Sequence, residues 1–144
     1  MMEALPVRTA FQILLVAFGS SLGGLARWGV TLWFGRWFGA AFPWGTFFIN
    51  ISGSLFLGWF TTVLEDRLAL TETAWFRPDD LRLLIAVGFT GAYTTFSTFE
   101  YESHKLLSDG YGLAAAAYVA LSVFIGLIAV RLGVLVAHPF GMKV

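Results

Sequence analysis

The chain has 144 residues, 58% of them hydrophobic and only 12% charged, with a formal net charge of zero and a mean hydropathy of +0.76. Those values lie outside the soluble globular range and point to an all-α, membrane-integral chain folded as a single domain over 1–144. A balanced charge speaks against a nucleic-acid partner, which needs clustered Lys and Arg, and the lack of cysteine excludes a disulfide framework, a thiolate nucleophile or a Cys-based metal site.

Hydrophobic runs fall at 10–34, 44–64, 81–106 and 111–137, each close to or above the roughly 20 residues needed to cross the hydrocarbon core. They predict four transmembrane helices. The first run begins like a secretory leader, but it has no clear small-x-small cleavage site and further spans follow, so it is expected to be retained. Arg27 follows "GSSLGGLA", where glycines allow close backbone approach; it either snorkels to the interface or places a fixed positive charge at the mouth of an anion path.

The second run begins "PWGTFFINISGSLFLGWF" and sets Thr46, Asn50 and Ser54 at i, i+4 and i+8 on one helical face, with Gly53 and Gly58 beside them. Such small and polar residues serve either helix–helix packing or a polar path. Asn50 is a full amide near mid-span and needs several partners. The connector "EDRLALTETAWFRPDD" reads as a solvated loop.

The third run holds "GFTGAYTTFSTFE" (88–100), in which Phe96 and Phe99 share one helical face while Thr95 and Thr98 share the next. Gly88 and Gly91, with Thr90, Thr94 and Thr95, predict a break near the middle of this helix. A break at membrane depth is tolerated only where the freed backbone groups face protein or a polar cavity. Its alternative is a kinked helix satisfied by its own hydroxyls. In the fourth run Ala114, Tyr118, Ser122 and Gly126 share a face, which reads as a packing seam or a second polar stripe.

Pro6, Pro43, Pro78 and Pro139 all lie outside the runs, and six tryptophans, Trp75 among them, cluster near the run ends as interface anchors. An even number of spans puts both termini on one side. Arg8, Arg67, Arg77, Arg82, Arg131 and Lys143 lie on or near that side, against Arg27, Arg36 and Lys105 opposite, a modest bias toward cytoplasmic termini. His104 and His138 lie near run ends with no nucleophile at usable spacing, so no enzyme chemistry is expected.

The segments "GGLARW" (23–28), "GTFFINISGS" (45–54), "GFTGAYTTFSTFEYE" (88–102) and "AYVALS" (117–122) resemble the small fluoride channels of the Fluc family, also called CrcB, in that family's order and four-span layout. One departure is Ala92, where the family commonly has a second glycine after Gly91. The resemblance implies a homodimer whose subunits insert in opposite orientations in a bacterial plasma or inner membrane, with two antiparallel pores. It implies a structural sodium ion on the two-fold axis, held by the backbone carbonyls of Gly91 and Thr94 of each subunit. Phe96 and Phe99 would be the "Phe box" lining the pathway, with Asn50, Ser122, Thr46, Tyr118, Thr98 and Ser97 along it and Arg27 and Glu102 at its vestibules. The rival class is a proton-coupled exporter of small cations, which needs a titratable carboxylate deep in a span; the first span has none.

Overall fold

The computed structural model describes residues 7–39, 41–68 and 77–137. Long apolar runs without proline fold as long helices: α1 (Val7–Phe38), α2 (Trp44–Leu68) and α6 (Gly112–Ala137). Each contains a stretch long and apolar enough to cross a membrane. Between α2 and α6 the chain is helical in pieces, namely α3 (Pro78–Leu81), a π-helical segment (Arg82–Thr90), α4 (Gly91–Tyr93) and α5 (Phe96–Ser108). No strand occurs among the described residues. The runs expected at 10–34, 44–64 and 111–137 therefore coincide with uninterrupted helices, whereas 81–106 is an interrupted one. Trp75, His138, Pro6, Pro139 and Lys143 lie outside the described residues.

The interruption lies near the middle of the run, as expected, and falls at the threonines of the segment and not at its glycines. The chain stays helical through Gly88 and Gly91, and it becomes extended at Thr94 (φ −76°, ψ 159°) and Thr95 (φ −151°, ψ 120°). Threonine hydroxyls bonding locally to backbone oppose helix more effectively here than glycine does. Ala92 is helical, since no residue other than glycine has a positive φ among the described residues, and the alanine is accommodated without strain. Gly39 (φ 69°) and Gly110 (φ 86°) take left-handed conformations just past the ends of α1 and α5, where a side chain would be strained.

What Gly88 supplies is proximity. A Cβ there would come within 2.9 Å of the Val16 carbonyl oxygen of α1, and Cβ atoms on Gly19 and Gly23 would overlap the carbonyl oxygens of Leu84 and Phe89. Here α1 and the π-helical segment touch backbone to backbone, the arrangement small residues permit in lipid. A second seam joins α2 to α6: Gly58 lies against Val130, and Gly133 against Leu55 and Trp59. Ala129 and Ala137 are buried on the same face of α6.

The ends can be matched through their contacts. Arg8 at the start of α1 pairs with Asp80 in α3 at 2.7 Å, and the end of α2 (Leu64, Glu65) shares a small cleft with Pro78 and Asp79. At the other end, Phe34 and Gly35 of α1, Trp44 and Thr46 of α2, Lys105 of α5 and Tyr111 line one cleft. Successive passes thus run in alternating directions.

Candidate functional site

The polar residues of α2 converge on the break and on the helix that follows it. Asn50 uses both ends of its amide on one residue: its Oδ1 accepts from the Thr95 N–H at 2.9 Å, and its Nδ2 donates to the Thr95 carbonyl at 3.1 Å. The side chain thereby replaces the helix partners that Thr95 lacks. Gly53 stands beside the Thr94 methyl, where a Cβ would overlap it. Asn50, Gly53, Ser54, Thr94, Thr95 and Phe96 line an open cleft of ≈ 280 Å³.

Thr95 then restarts the helix as its N-cap. Its Oγ1 accepts from the Thr98 N–H at 3.3 Å and donates to the Thr98 Oγ1 at 2.9 Å, satisfying one orphan donor of α5. Because Thr98 accepts that second bond, its own hydroxyl proton remains free to donate. Ser97 and Thr98 are both exposed.

The two phenylalanines separate in environment. Phe96 is 74% exposed on this single chain, whereas Phe99 is buried against Tyr118 with ring centroids 5.1 Å apart. Their own rings remain neighbours at 6.0 Å. One turn from Asn50 on α2, Thr46 is buried and donates to Glu102 at 2.9 Å; Tyr118 of α6, fully buried, donates to the other carboxylate oxygen at 2.9 Å. Glu102 therefore ties α2, α5 and α6 together. Thr46 and Tyr118, which the resemblance sets along the path, both commit their hydroxyl protons to this carboxylate. Glu102 also lines the ≈ 350 Å³ cleft at that end of the bundle, together with Thr46 and Lys105.

Ser122 sits one helical turn beyond Tyr118, and its Oγ is buried with no hydrogen-bond partner among the described residues. Such an orphaned hydroxyl is a donor with its proton available. Arg27 is not in the cleft that holds Glu102. Its Nη1 donates to the Thr94 carbonyl at 3.4 Å, beside the break.

Gly91 and Thr94 can be tested as a cation site by their chemistry. In an α-helix the Gly91 carbonyl would accept from the Thr95 N–H, which Asn50 has taken, and the extended Thr94 directs its carbonyl out of the helix ladder. Two under-used carbonyl oxygens suit a hard cation, although the Arg27 charge beside Thr94 opposes one. No cluster of three acidic or histidine side chains suited to a metal exists among the described residues, so carbonyls would have to supply the ligands.

Residues 14–134 match the sequence model of a family described as CrcB-like protein, Camphor Resistance (CrcB). The chain is 44% identical over 130 residues to the fluoride-specific ion channel FluC of Chloroflexus aurantiacus, covering 90% of this chain and 98% of that protein. It is 41% identical over 126 residues to the fluoride-specific ion channel FluC of Trichormus variabilis, covering 88% of each. A third relative, fluoride-specific ion channel FluC 1 of Nitrobacter hamburgensis, is 44% identical over 122 residues, which cover 85% of this chain and 91% of that one. These relatives carry the names of channels, not of enzymes. With its long apolar helices and a match spanning nearly its whole length, the chain belongs to the CrcB family and is a multi-pass bacterial membrane protein.

Proposed function

We propose that the protein is a fluoride-selective channel that passively exports cytoplasmic fluoride. The observation that carries this reading is the likeness to fluoride-specific channels over 90% of the chain, which spans the broken segment and the polar residues gathered around it. HF crosses membranes and dissociates in neutral cytoplasm, trapping the anion inside. An inside-negative potential then drives an anion outward by about 2.3 kcal/mol per 100 mV, so no energy-coupling domain is required.

The chemical task is to strip water from a small, strongly hydrated anion and still let it go. Donors replace the lost water hydrogen bonds, and ring edges offer the positive end of the aromatic quadrupole. In this reading the edges of Phe96 and Phe99 line the path, and Thr98 and Ser122 supply hydroxyl protons that no described residue accepts. Ser97 lies beside them. Asn50 holds the break and so orients Phe96; Thr46 and Tyr118 act through Glu102, which keeps α5 in place. A narrow path disfavours chloride, and neutral donors bind weakly enough for release.

The broken segment is read as the fourth membrane crossing. The assembly is an antiparallel homodimer with two pores, in which the exposed Phe96 meets a second copy. A sodium ion between the copies would be held by the carbonyls of Gly91 and Thr94, where it would supply fixed charge and cross-link the two breaks. The test is fluoride efflux from liposomes holding purified protein, with a chloride control and Phe96→Ile. Rapid, chloride-excluding efflux that disappears in Phe96→Ile supports the reading. Absence of efflux from well-folded wild-type protein overturns it, and efflux tracking a carboxylate titration would point to the proton-coupled exporter.

A further inference from the structure

We propose that Thr90 is a positioning residue for permeation: its hydroxyl holds the π-helical register of Arg82–Thr90 and thereby fixes where the break meets Asn50. Its functional half rests on the channel reading above, and its structural half does not. π-Helix occurs mostly as single turns inside α-helices, so nine consecutive residues need specific support.

Thr90 supplies that support from within. It is 2% exposed, and its Oγ1 donates to the Ile85 carbonyl, five residues back, at 3.0 Å. The next residue keeps that register in part, its N–H shared between the Ala86 carbonyl five residues back and the Gly88 carbonyl three residues back. Thr94 behaves differently: its N–H and its Oγ1 both reach the Thr90 carbonyl, four residues back, at 3.0 and 2.9 Å. The two threonines therefore mark the residue at which the ladder changes from π to α. Hydrogen bonds thus link Ile85 to Thr90 and Thr90 to Thr94, and the peptide bond joins Thr94 to Thr95, which is in the grip of Asn50.

The same register is matched from outside. Leu84 and Phe89 are one π turn apart, and their carbonyls lie against Gly19 and Gly23, which are one α turn apart on α1. A slip of the segment into α-helical register would turn everything beyond it by about one residue, ~100°, relative to α1. Thr95 would then leave Asn50, and Phe96 would leave the path.

The experiment compares wild type, Thr90→Val and Thr90→Ser, the first variant losing only the hydroxyl and the second keeping it. Fluoride efflux from liposomes and amide hydrogen exchange of 91–95 are measured on each. Thr90→Val is expected to slow efflux and to speed exchange, each by about threefold to tenfold, the worth of one hydrogen bond. Thr90→Ser restores both. Wild-type exchange at 91–95 in Thr90→Val overturns the proposal. If the wild type passes no fluoride, the channel reading fails and the exchange result alone decides the register. Gly23→Ala attacks the register from α1 and is expected to speed exchange at the same amides, whereas Gly24→Ala, whose added Cβ meets nothing within 4 Å, leaves it unchanged. Equal exchange in these two glycine variants also counts against the proposal.

Discussion

The two helix pairs of this protein use glycine alike and polar groups differently. In the α2–α6 pair, both helices run unbroken, and Gly58 and Gly133 let backbone lie on backbone along a seam whose ladder is self-sufficient. In the pair formed by α1 and the π-helical segment, Gly19, Gly23 and Gly88 make an equally close contact, but the second partner stops at Thr94 and restarts at Phe96. Side chains from other helices must then complete the backbone. The difference teaches what a break does: a seam that satisfies itself holds shape, while a break that borrows Asn50, Arg27 and a threonine cap leaves the Phe96 ring and the Ser97 and Thr98 hydroxyls exposed, where the proposed path lies.

Substitutions can break or sharpen that contrast. The largest effect is expected in the unbroken pair. Gly133→Ala sets a Cβ against the Leu55 carbonyl and within 2.7 Å of the Trp59 nitrogen, both backbone atoms, so it should cost about 3 kcal/mol or more of overpacking strain. The yield and melting of monodisperse protein would read this. Gly126→Ala, whose Cβ makes ordinary contacts at 3.8 and 3.9 Å, is the matched control and should melt like wild type.

Next comes the break itself. Asn50→Asp keeps an acceptor for the Thr95 N–H but turns the donor facing the Thr95 carbonyl into a second oxygen. Losing one bond and opposing two acceptors is expected to cost roughly 2–3 kcal/mol locally. Fluoride efflux should vanish while size-exclusion behaviour is kept; normal efflux would show that the amide does not hold the break. A smaller loss, about 1–2 kcal/mol, is expected for Tyr118→Phe, which removes one of the two hydroxyls on Glu102 and leaves Thr46 in place. Chemical denaturation in detergent would measure it. Phe96→Ile should do least to the stability of the subunit itself, within about 0.5 kcal/mol, because the ring is 74% exposed on the single chain, yet it should abolish flux. Stability and flux would thus separate at one residue.

Much of the scaffold was legible because hydropathy and proline placement are local properties. Three runs coincide with long helices, and an interruption was expected within the third run. It falls near the middle of that run, at Thr94 and Thr95, two of the residues that pointed to it; Gly88, which also looks like a helix breaker in isolation, instead stays helical because its neighbours on α1 require a residue without a side chain there. The residue types of the site could also be read, since hydroxyls and an amide in a greasy span are conspicuous. Their assignments could not. Asn50 meets Thr95 across 45 positions and Thr46 meets Glu102 across 56, separations that no periodicity reports. The same limit hid the commitment of Tyr118 to Glu102 and the placement of Arg27 at Thr94.

The Arg8–Asp80 pair carries a consequence for biosynthesis. In the finished protein Asp80 is fully buried, and its carboxylate neutralises Arg8 while accepting from the Arg77 N–H at 2.8 Å. The partners are 72 positions apart, so the ribosome delivers Arg8 long before its counter-ion. Through the interval in which the first helix chooses its direction, Arg8 has no Asp80 beside it and weighs fully in the positive-inside balance. Once Asp80 has arrived, the pair removes from the finished protein a charge that stood without this partner while the first helix was being inserted.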